Sequence, residues 1–361
     1  MKLSRVVLII VVIVVIAIIA LFAYVILAPG PSTSSTWNSA ADYPLNVSGT
    51  DDVAGQQCVN STNYIYCIGG QDYDGGPRNN VYSSNPLSSS SSNITSWTSD
   101  SNSYPQDSDG LACVTYSSNV YCIGGTYDDA GDDLAASYYA SLSNGQVGTW
   151  TNTTSYPTPA DTLSCVTSSS YIYCVGGTSE PDGTNASATG VSSVWYAPIS
   201  STGIGSWTMT TSYPSGIYYA DCFASQGYIY CLGGGDSNNN AVNSVYYASL
   251  SSSGVGSWNP TTAYPQSVSG QSCVIISSVI YCVGGEGSSN SYTNAVYYAV
   301  VSSTGIGAWQ TGPGYPDSLT TECVAVSGSI YCAGGFDGSE AQITAQVDYT
   351  TLSSITTTTT T

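Results

Sequence analysis

The chain has 361 residues, enough for one large all-β domain or two ordinary domains, so its length alone decides little. It contains 38 Gly, 31 Tyr and 12 Cys but no His, and its three Lys or Arg stand against 23 acidic residues for a net charge of -20. Because so few cations are available to neutralise phosphates, this composition excludes nucleic acid as a partner.

The first predicted element is a single transmembrane helix over residues 6–28. These apolar residues, at about 1.5 Å rise each, match the roughly 30 Å hydrocarbon core of a bilayer. A cleaved signal peptide is the alternative, but Ile26, Ala28 and Pro29 fit a small-x-small cleavage site poorly. Lys2 and Arg5 precede the helix and predict a cytoplasmic stub at residues 1–5. We therefore expect a membrane anchor, a linker over residues 29–35 and an exported, extracellular domain.

A unit of about 50 residues then recurs six times over residues 36–353. Each copy has a Cys, eight residues, a second Cys, one apolar residue and Gly-Gly. A Tyr-bearing run, a Gly-containing turn, a Trp and Tyr-Pro follow. The cysteines are Cys58 and Cys67, Cys113 and Cys122, Cys165 and Cys174, Cys222 and Cys231, Cys273 and Cys282, and Cys323 and Cys332. Four strands per unit are predicted: a (first Cys), b (second Cys), c (the Tyr run) and d (the Trp).

This repeat resembles the kelch family, whose propeller blades carry a diglycine after strand b and then Tyr and Trp. The Tyr-to-Trp interval is longer than in typical kelch repeats, and paired cysteines are not a general kelch feature. The resemblance implies an all-β, six-bladed β-propeller of four-stranded antiparallel blades. The diglycines are Gly69-Gly70, Gly124-Gly125, Gly176-Gly177, Gly233-Gly234, Gly284-Gly285 and Gly334-Gly335.

The two ends of the array predict that the ring closes. Trp37 and Tyr43-Pro44 form a strand d before the first diglycine, whereas the sixth unit stops after its strand c. The N-terminal strand d is therefore predicted to join the C-terminal blade, which hides edges that an open solenoid would expose. One Trp per unit is predicted to pack between blades.

The cysteine spacing predicts a disulfide within every blade. A hairpin centred on Thr62 and Asn63 places Cys58 opposite Cys67 at a non-hydrogen-bonded pair, within disulfide reach. Zinc is the alternative, but it favours closely spaced cysteines or His partners, and the sequence has neither. The cysteines are therefore interpreted as structural rather than nucleophilic or metal-binding.

All acidic residues except Asp348 lie on one side of the predicted ring, in the b–c loops and the d–a segments, and the a–b and c–d turns have none. The short linker predicts that the turns face the bilayer and the acidic loops face outward. Trp195, the one Trp outside a strand d, follows the longest b–c loop and joins the candidate binding residues. These are Asp72, Asp74, Asp107, Asp109, Asp128, Asp129, Asp132, Asp133, Glu180, Asp182, Trp195, Asp236, Glu286 and Asp337. The Thr-rich tail, residues 354–361, is predicted to be disordered.

These features predict a cell-surface, non-catalytic binding module that presents its acidic face to an extracellular protein or a glycan. A structural role in an envelope lattice or in adhesion is the alternative. The absence of His removes imidazole bases and copper ligands, although paired carboxylates could still serve a glycan-active enzyme. No cofactor is predicted. The acidic loops at residues 72–76 and 128–133 could supply oxygen ligands for calcium, but they match no EF-hand spacing, so solvated loops are favoured.

Overall fold

The computed structural model describes residues 36–44, 54–72, 76–88, 93–127, 133–178, 189–337 and 342–352. These residues form an all-β, six-bladed propeller of antiparallel blades. In the described ranges the only helical element is a 3-10 turn at Pro86–Ser88, and no helix is long and apolar enough to cross a membrane. The predicted span over residues 6–28, its flanks and the tail lie outside these ranges.

Each blade has four strands in the predicted order, and the six strands a contact one another around a central channel. Blade 1 consists of Gln57–Ser61, Tyr64–Ile68, Val81–Ser84 and Thr98–Ser99. Blade 2 consists of Ala112–Tyr116, Asn119–Ile123, Ser137–Ser143 and Thr151–Asn152. Blade 3 consists of Ser164–Ser168, Tyr171–Val175, Val194–Ser200 and Thr208–Met209.

The second half of the ring repeats this plan. Blade 4 consists of Asp221–Ser225, Tyr228–Leu232, Val245–Ser251 and Asn259–Pro260. Blade 5 consists of Ser272–Ile276, Val279–Val283, Val296–Ser302 and Gln310–Thr311. Blade 6 has longer strands at Leu319–Val326, Ser329–Asp337 and Gln342–Thr351. Four blades also have a short strand at the c–d turn: Gln146–Val147, Gly203–Ile204, Gly254–Val255 and Gly305–Ile306. Two further two-stranded sheets pair Ile217–Tyr218 with Gly235–Asp236, and Glu286–Gly287 with Ser291–Tyr292.

The ring closes as predicted, because the N-terminal strand Asn38–Ser39 is strand d of blade 6. Asn38 pairs with Tyr349 and Ser39 pairs with Asp348 in antiparallel register. The next amide, on Ala40, donates to the carbonyl of Val347 at 2.8 Å. The last blade is therefore built from both ends of the repeat array.

All six predicted disulfides form within blades, between the a and b strands. In blade 1 the two-residue turn at Thr62 and Asn63 brings Cys58 opposite Cys67, with Cα atoms 4.0 Å apart. This short separation is typical of a non-hydrogen-bonded pair. The described part of the chain has no free cysteine. Six disulfides are typical of an extracellular or secreted domain.

The outer part of each blade contact repeats one arrangement of Trp and Tyr. The Trp258 ring lies edge-on to Tyr213, with centroids 4.9 Å apart, and its indole N–H donates to the carbonyl of Thr211 at 3.2 Å. Equivalent Trp–Tyr pairs join the other blades, including Trp37 with Tyr315 across the ring closure. The Trp residues are therefore packing residues between blades, as predicted.

The first glycine of each diglycine in blades 1 to 5 lets the chain that leads into the next blade lie against the preceding one. Gly124 has a φ of +67°, and a Cβ there would lie 2.2 Å from the carbonyl oxygen of Ala160, in the segment that leads into blade 3. Only glycine allows both this conformation and this contact. Isolated bridges also join d–a segments to b–c loops, such as Asp109 to Thr126 and Asp161 to Thr178. The d–a segments and b–c loops therefore share one face, which we call the loop face.

Candidate functional site

The predicted site residues are distributed unevenly over the loop face. Asp109 and Glu286 line a cavity at its centre. Asp72 is buried and forms an ion pair with Arg78, so its carboxylate interacts within its own loop. Asp236 caps a turn, where the amides of Asn238 and Asn240 each donate to its carboxylate at 2.9 Å and lower its pKa. The other three predicted acids within the described ranges, Asp107, Asp133 and Asp337, do not line the cavity.

Six predicted site residues lie outside the described ranges: Asp74, Asp128, Asp129, Asp132, Glu180 and Asp182. Trp195 lies within strand c of blade 3, paired with Cys174 and Met209 and packed against the apolar core between blades 2 and 3. It occupies the position that Tyr138 and Tyr246 hold in blades 2 and 4.

The cavity has a volume of about 470 Å³ and is formed where the inner strands meet the loop face. This volume falls within the roughly 300–1,000 Å³ range of small-ligand sites. Its floor is formed by the first residues of strand a of every blade, and its rim by d–a segments and by b–c loop residues such as Gln71 and Glu286. All six blades therefore contribute to a single site.

One residue per blade, directly before the first Cys, lines the floor of the cavity. These six residues, which we call the inner ring, are Gln57, Ala112, Ser164, Asp221, Ser272 and Glu322. Each of them except Ala112 has a side-chain oxygen that accepts the backbone N–H of the first Cys in the next blade. The inner ring therefore joins neighbouring blades as well as lining the cavity.

Two members of the inner ring are carboxylic acids. Asp221 accepts the N–H of Cys273 at 2.5 Å, and burial raises its pKa to about 7. Burial and the negative charge of Asp221 hold the pKa of Glu322 well above its usual range. Both residues lie in strand a of their blades, directly before the first Cys. The sequence places them among the acids between a Trp and the next Cys, but neither was a predicted site residue. The signal that could have identified them is their position directly before the first Cys of a repeat.

A second acidic group lies above the inner ring, on the side of blades 2 and 3. Burial raises the pKa of Asp109, in the cavity wall, to about 6. Asp161, beside the wall, has a pKa of about 7 because of burial and the nearby charges of Asp133 and Asp109. Since neutral forms are favoured by burial and by like charges, the cavity gains negative charge as the pH rises from about 5 to 8.

Aromatic side chains of blades 4 to 6 also line the cavity. They are Tyr219, Tyr292 and Phe336. Tyr219 lies next to the acidic group, since its N–H donates to the carbonyl of Thr162 at 3.1 Å. Half of Tyr219 is exposed to solvent, and its ring lies 5.6 Å from that of Tyr218. The rings of Tyr292 and Phe336 have centroids 5.4 Å apart. Sequence reasoning missed this aromatic rim because these residues fall outside the regular Trp and Tyr positions of the repeat.

The described cavity wall contains carboxylates, amides, hydroxyls and aromatic rings, but no Lys or Arg. Arg78, the one cation of the sequence after residue 5, is paired with Asp72. No group of three or more metal-ligating side chains is arranged for a metal ion within the ranges that the structure describes. Calcium at residues 72–76 and 128–133, which the sequence favours less than solvated loops, is untested, since most of these residues lie outside those ranges.

Comparisons with known proteins support the fold and leave the family open. The solved structure of YjhT superimposes with a TM-score of 0.67, covering 86% of this chain and 96% of that chain at 13% sequence identity. At this identity the similarity shows the fold alone. No family model matches the sequence, and no curated protein matches it.

Proposed function

We propose that this chain is a kelch-type binding module, held at the cell surface by its N-terminal segment, that binds polar ligands without negative charge in the central cavity. The observation that carries the proposal is the cavity itself, to which all six blades contribute. A concave site with aromatic rings and several polar groups is typical of ligand recognition. The diglycines with their Tyr and Trp positions support the kelch assignment, and the disulfides support export.

The charge of the cavity defines the class of ligand. Asp109, Asp221, Glu286 and Glu322 line it without a described cation to compensate them. Above about pH 7, where Asp109 and most of Asp221 are ionised, phosphate, sulfate and carboxylate ligands would therefore be repelled. Uncharged saccharides and cationic groups of an extracellular protein are compatible with this wall, because both donate hydrogen bonds to carboxyl oxygens. The inner-ring acids already accept backbone N–H groups, so binding rather than catalysis is their proposed role.

The test is a binding screen of the purified full chain in lipid nanodiscs. The probes are uncharged, amino-bearing and carboxylate-bearing oligosaccharides, together with basic and acidic peptides. We expect binding of an uncharged or cationic probe but not of the anionic probes. The double variant Asp109→Asn/Tyr219→Ala should weaken that binding at least about tenfold, as expected when an anchor of the site is lost.

The matched control is Asp42→Asn, which removes an exposed acid of the loop face that does not line the cavity. It should change affinity less than about twofold. Preferential binding of anionic probes, or full binding by the cavity double variant, would contradict the proposal. Ordered arrays of the chain on the cell envelope without ligand binding would favour the lattice alternative.

A glycan-active enzyme is the second candidate, favoured by the raised pKa values of Asp221 and Glu322 in one cavity. A carboxyl group that is protonated near neutral pH can act as a general acid on a glycosidic bond. Turnover of a bound saccharide by the full chain, lost in Glu322→Gln while binding persists, would support this candidate. Binding of the saccharide without turnover would contradict the enzyme candidate and support the non-catalytic binding module.

A further inference from the structure

The inner ring has one gap, beside Ala112. The first Cys of each blade forms a non-hydrogen-bonded pair with the second, with the Cα atoms of Cys165 and Cys174 4.1 Å apart, so its N–H points away from strand b toward the channel. The N–H of Cys222 in blade 4 donates to Ser164 of blade 3 at 3.0 Å. The N–H of Cys323 in blade 6 donates to Ser272 of blade 5 at 2.9 Å. Ala112 has no side-chain acceptor, and the described residues provide none for Cys165.

The gap opens into the cavity, because Ala112, Cys165 and Ser164 all lie in its wall. An unsatisfied backbone N–H is costly when it is removed from water, so a ligand that displaces water here must supply an acceptor atom. Asp109 lies three residues before Ala112 in the same wall. The ligand atom in the gap therefore meets a hydrogen-bond donor, in a cavity whose wall also carries an acidic group.

These two neighbours select the chemistry of the ligand. An ammonium or guanidinium group can only donate, and so would leave Cys165 without an acceptor. An anionic oxygen could accept, but above about pH 7 it would be repelled by the ionised carboxylates of Asp109 and Asp221 in the wall. A hydroxyl group accepts and donates at once. The aromatic rim of Tyr219, Tyr292 and Phe336 offers apolar faces to the rest of such a molecule.

We propose that the gap beside Ala112 is the anchoring subsite of the cavity and receives a hydroxyl group of an uncharged saccharide. The hydroxyl oxygen accepts the N–H of Cys165, and its hydrogen is donated to an acidic side chain of the wall. This inference rests on the proposed function and deepens it by choosing saccharides over cationic peptides. It assigns a role to the one inner-ring position that does not join two blades.

The test fills the gap with side chains that the neighbouring blades already use. Ala112→Ser copies Ser164 and Ser272, and Ala112→Gln copies Gln57. The probes are the methyl glycosides of glucose, galactose and mannose, with N-acetylglucosamine, titrated against the full chain in nanodiscs by calorimetry. Loss of one hydrogen bond predicts about 3- to 10-fold weaker binding for Ala112→Ser. Ala112→Gln, which also fills space, should weaken binding more.

The matched control is Ala224→Ser, which makes the same change in a strand a, two residues after the first Cys and outside the cavity wall. Blades 2 and 3 carry Thr115 and Thr167 at this position, so a hydroxyl is tolerated there. The control should bind the saccharides within twofold of the parent chain. Thermal unfolding and disulfide mapping establish that every variant is folded.

Hydrogen exchange gives a second, direct readout. The amide of Cys165 should exchange faster than those of Cys222 and Cys323 in the free protein, and it should slow when saccharide is added. Saccharide binding that is unchanged in folded Ala112→Ser, or Cys165 exchange that is unaffected by saturating saccharide, overturns the subsite. Binding of a cationic peptide but of no saccharide overturns it too, while leaving the proposed function standing.

Discussion

The outer and inner parts of the blade contacts join the same neighbours in different ways. At the outer contacts, each Trp uses the same two interactions, an edge-on Tyr ring and a backbone carbonyl, in all six places. At the inner ring, the N–H of the first Cys in the next blade is accepted by a Gln, Ser, Asp or Glu side chain in five places and by no side chain in the sixth. The repeated arrangement is typical of a framework, whereas variation at a fixed position is typical of a surface shaped for recognition.

The largest expected effect comes from breaking an outer contact. Trp258→Ala removes an indole that packs on Tyr213 and donates to the carbonyl of Thr211. Because this Trp is partly buried, we expect a loss of about 3 kcal/mol in the free energy of unfolding, measured by chemical denaturation of the full chain. Trp258→Phe keeps an aromatic ring but loses the indole N–H, and its free energy of unfolding should fall by about half as much. An equal loss in both variants would show that the packed ring contributes little.

A smaller effect, which depends on pH, is expected at Asp161, in the d–a segment beside the cavity wall. An unfolded Asp titrates near 3.9, whereas Asp161 has a pKa of about 7 in the folded chain. Between about pH 4 and pH 7 the folded state keeps a proton that the unfolded state releases, so stability falls as the pH rises through this window. Asp161→Asn should therefore stabilise the chain at pH 8, by about 1 to 2 kcal/mol after allowance for partial exposure, and have little effect at pH 4.

Chemical denaturation at pH 4, 6 and 8 measures this difference. Asp42→Asn, which removes an exposed acid of the loop face, supplies the comparison. A profile of Asp161→Asn that runs parallel to that of the parent would contradict the assigned cause.

The smallest expected effect is at the inner ring. Ser272→Ala removes the acceptor of the Cys323 N–H, a buried hydrogen bond of 2.9 Å. We expect a loss of about 1 kcal/mol, less than at the outer contact, because one hydrogen bond is removed without a large cavity. Ser303→Ala, on an exposed turn, should have no measurable effect and serves as the control. A loss as large as that of Trp258→Ala would remove the distinction between the two regions.

The framework was predictable from the sequence because it repeats. The position of each Cys pair, the two-residue turn at Thr62 and Asn63, and the complementary ends at Trp37 and Val347 determine the blades, the disulfides and the ring closure. These predictions are confirmed by the register of Asn38 with Tyr349 and by the six disulfides. Local spacing was sufficient here, since each feature depends on the geometry of one hairpin or one edge.

The cavity was much less predictable, because it depends on which residues of different blades converge. Asp109 and Glu286 were predicted site residues, but Asp221, Glu322 and Tyr219 were not. Counting acids in loops does not distinguish Asp72, which pairs with Arg78, from Asp109, which lines the cavity. Trp195 illustrates the reverse case: it interrupts the Trp pattern of the sequence, yet it packs in a strand where other blades use Tyr.

The closing strand at Asn38–Ser39 has a consequence for biosynthesis. Its partner residues, Tyr349 and Asp348, are more than 300 positions further along the chain. This strand leaves the ribosome before the other strands of the propeller, yet it is the last of them to find its neighbour, after all other blades have been made. Until then the sixth blade has an open edge, and nascent chains crowded together could exchange their first strands. Local disulfides, which form blade by blade, would order each earlier blade while the chain waits for that final pairing.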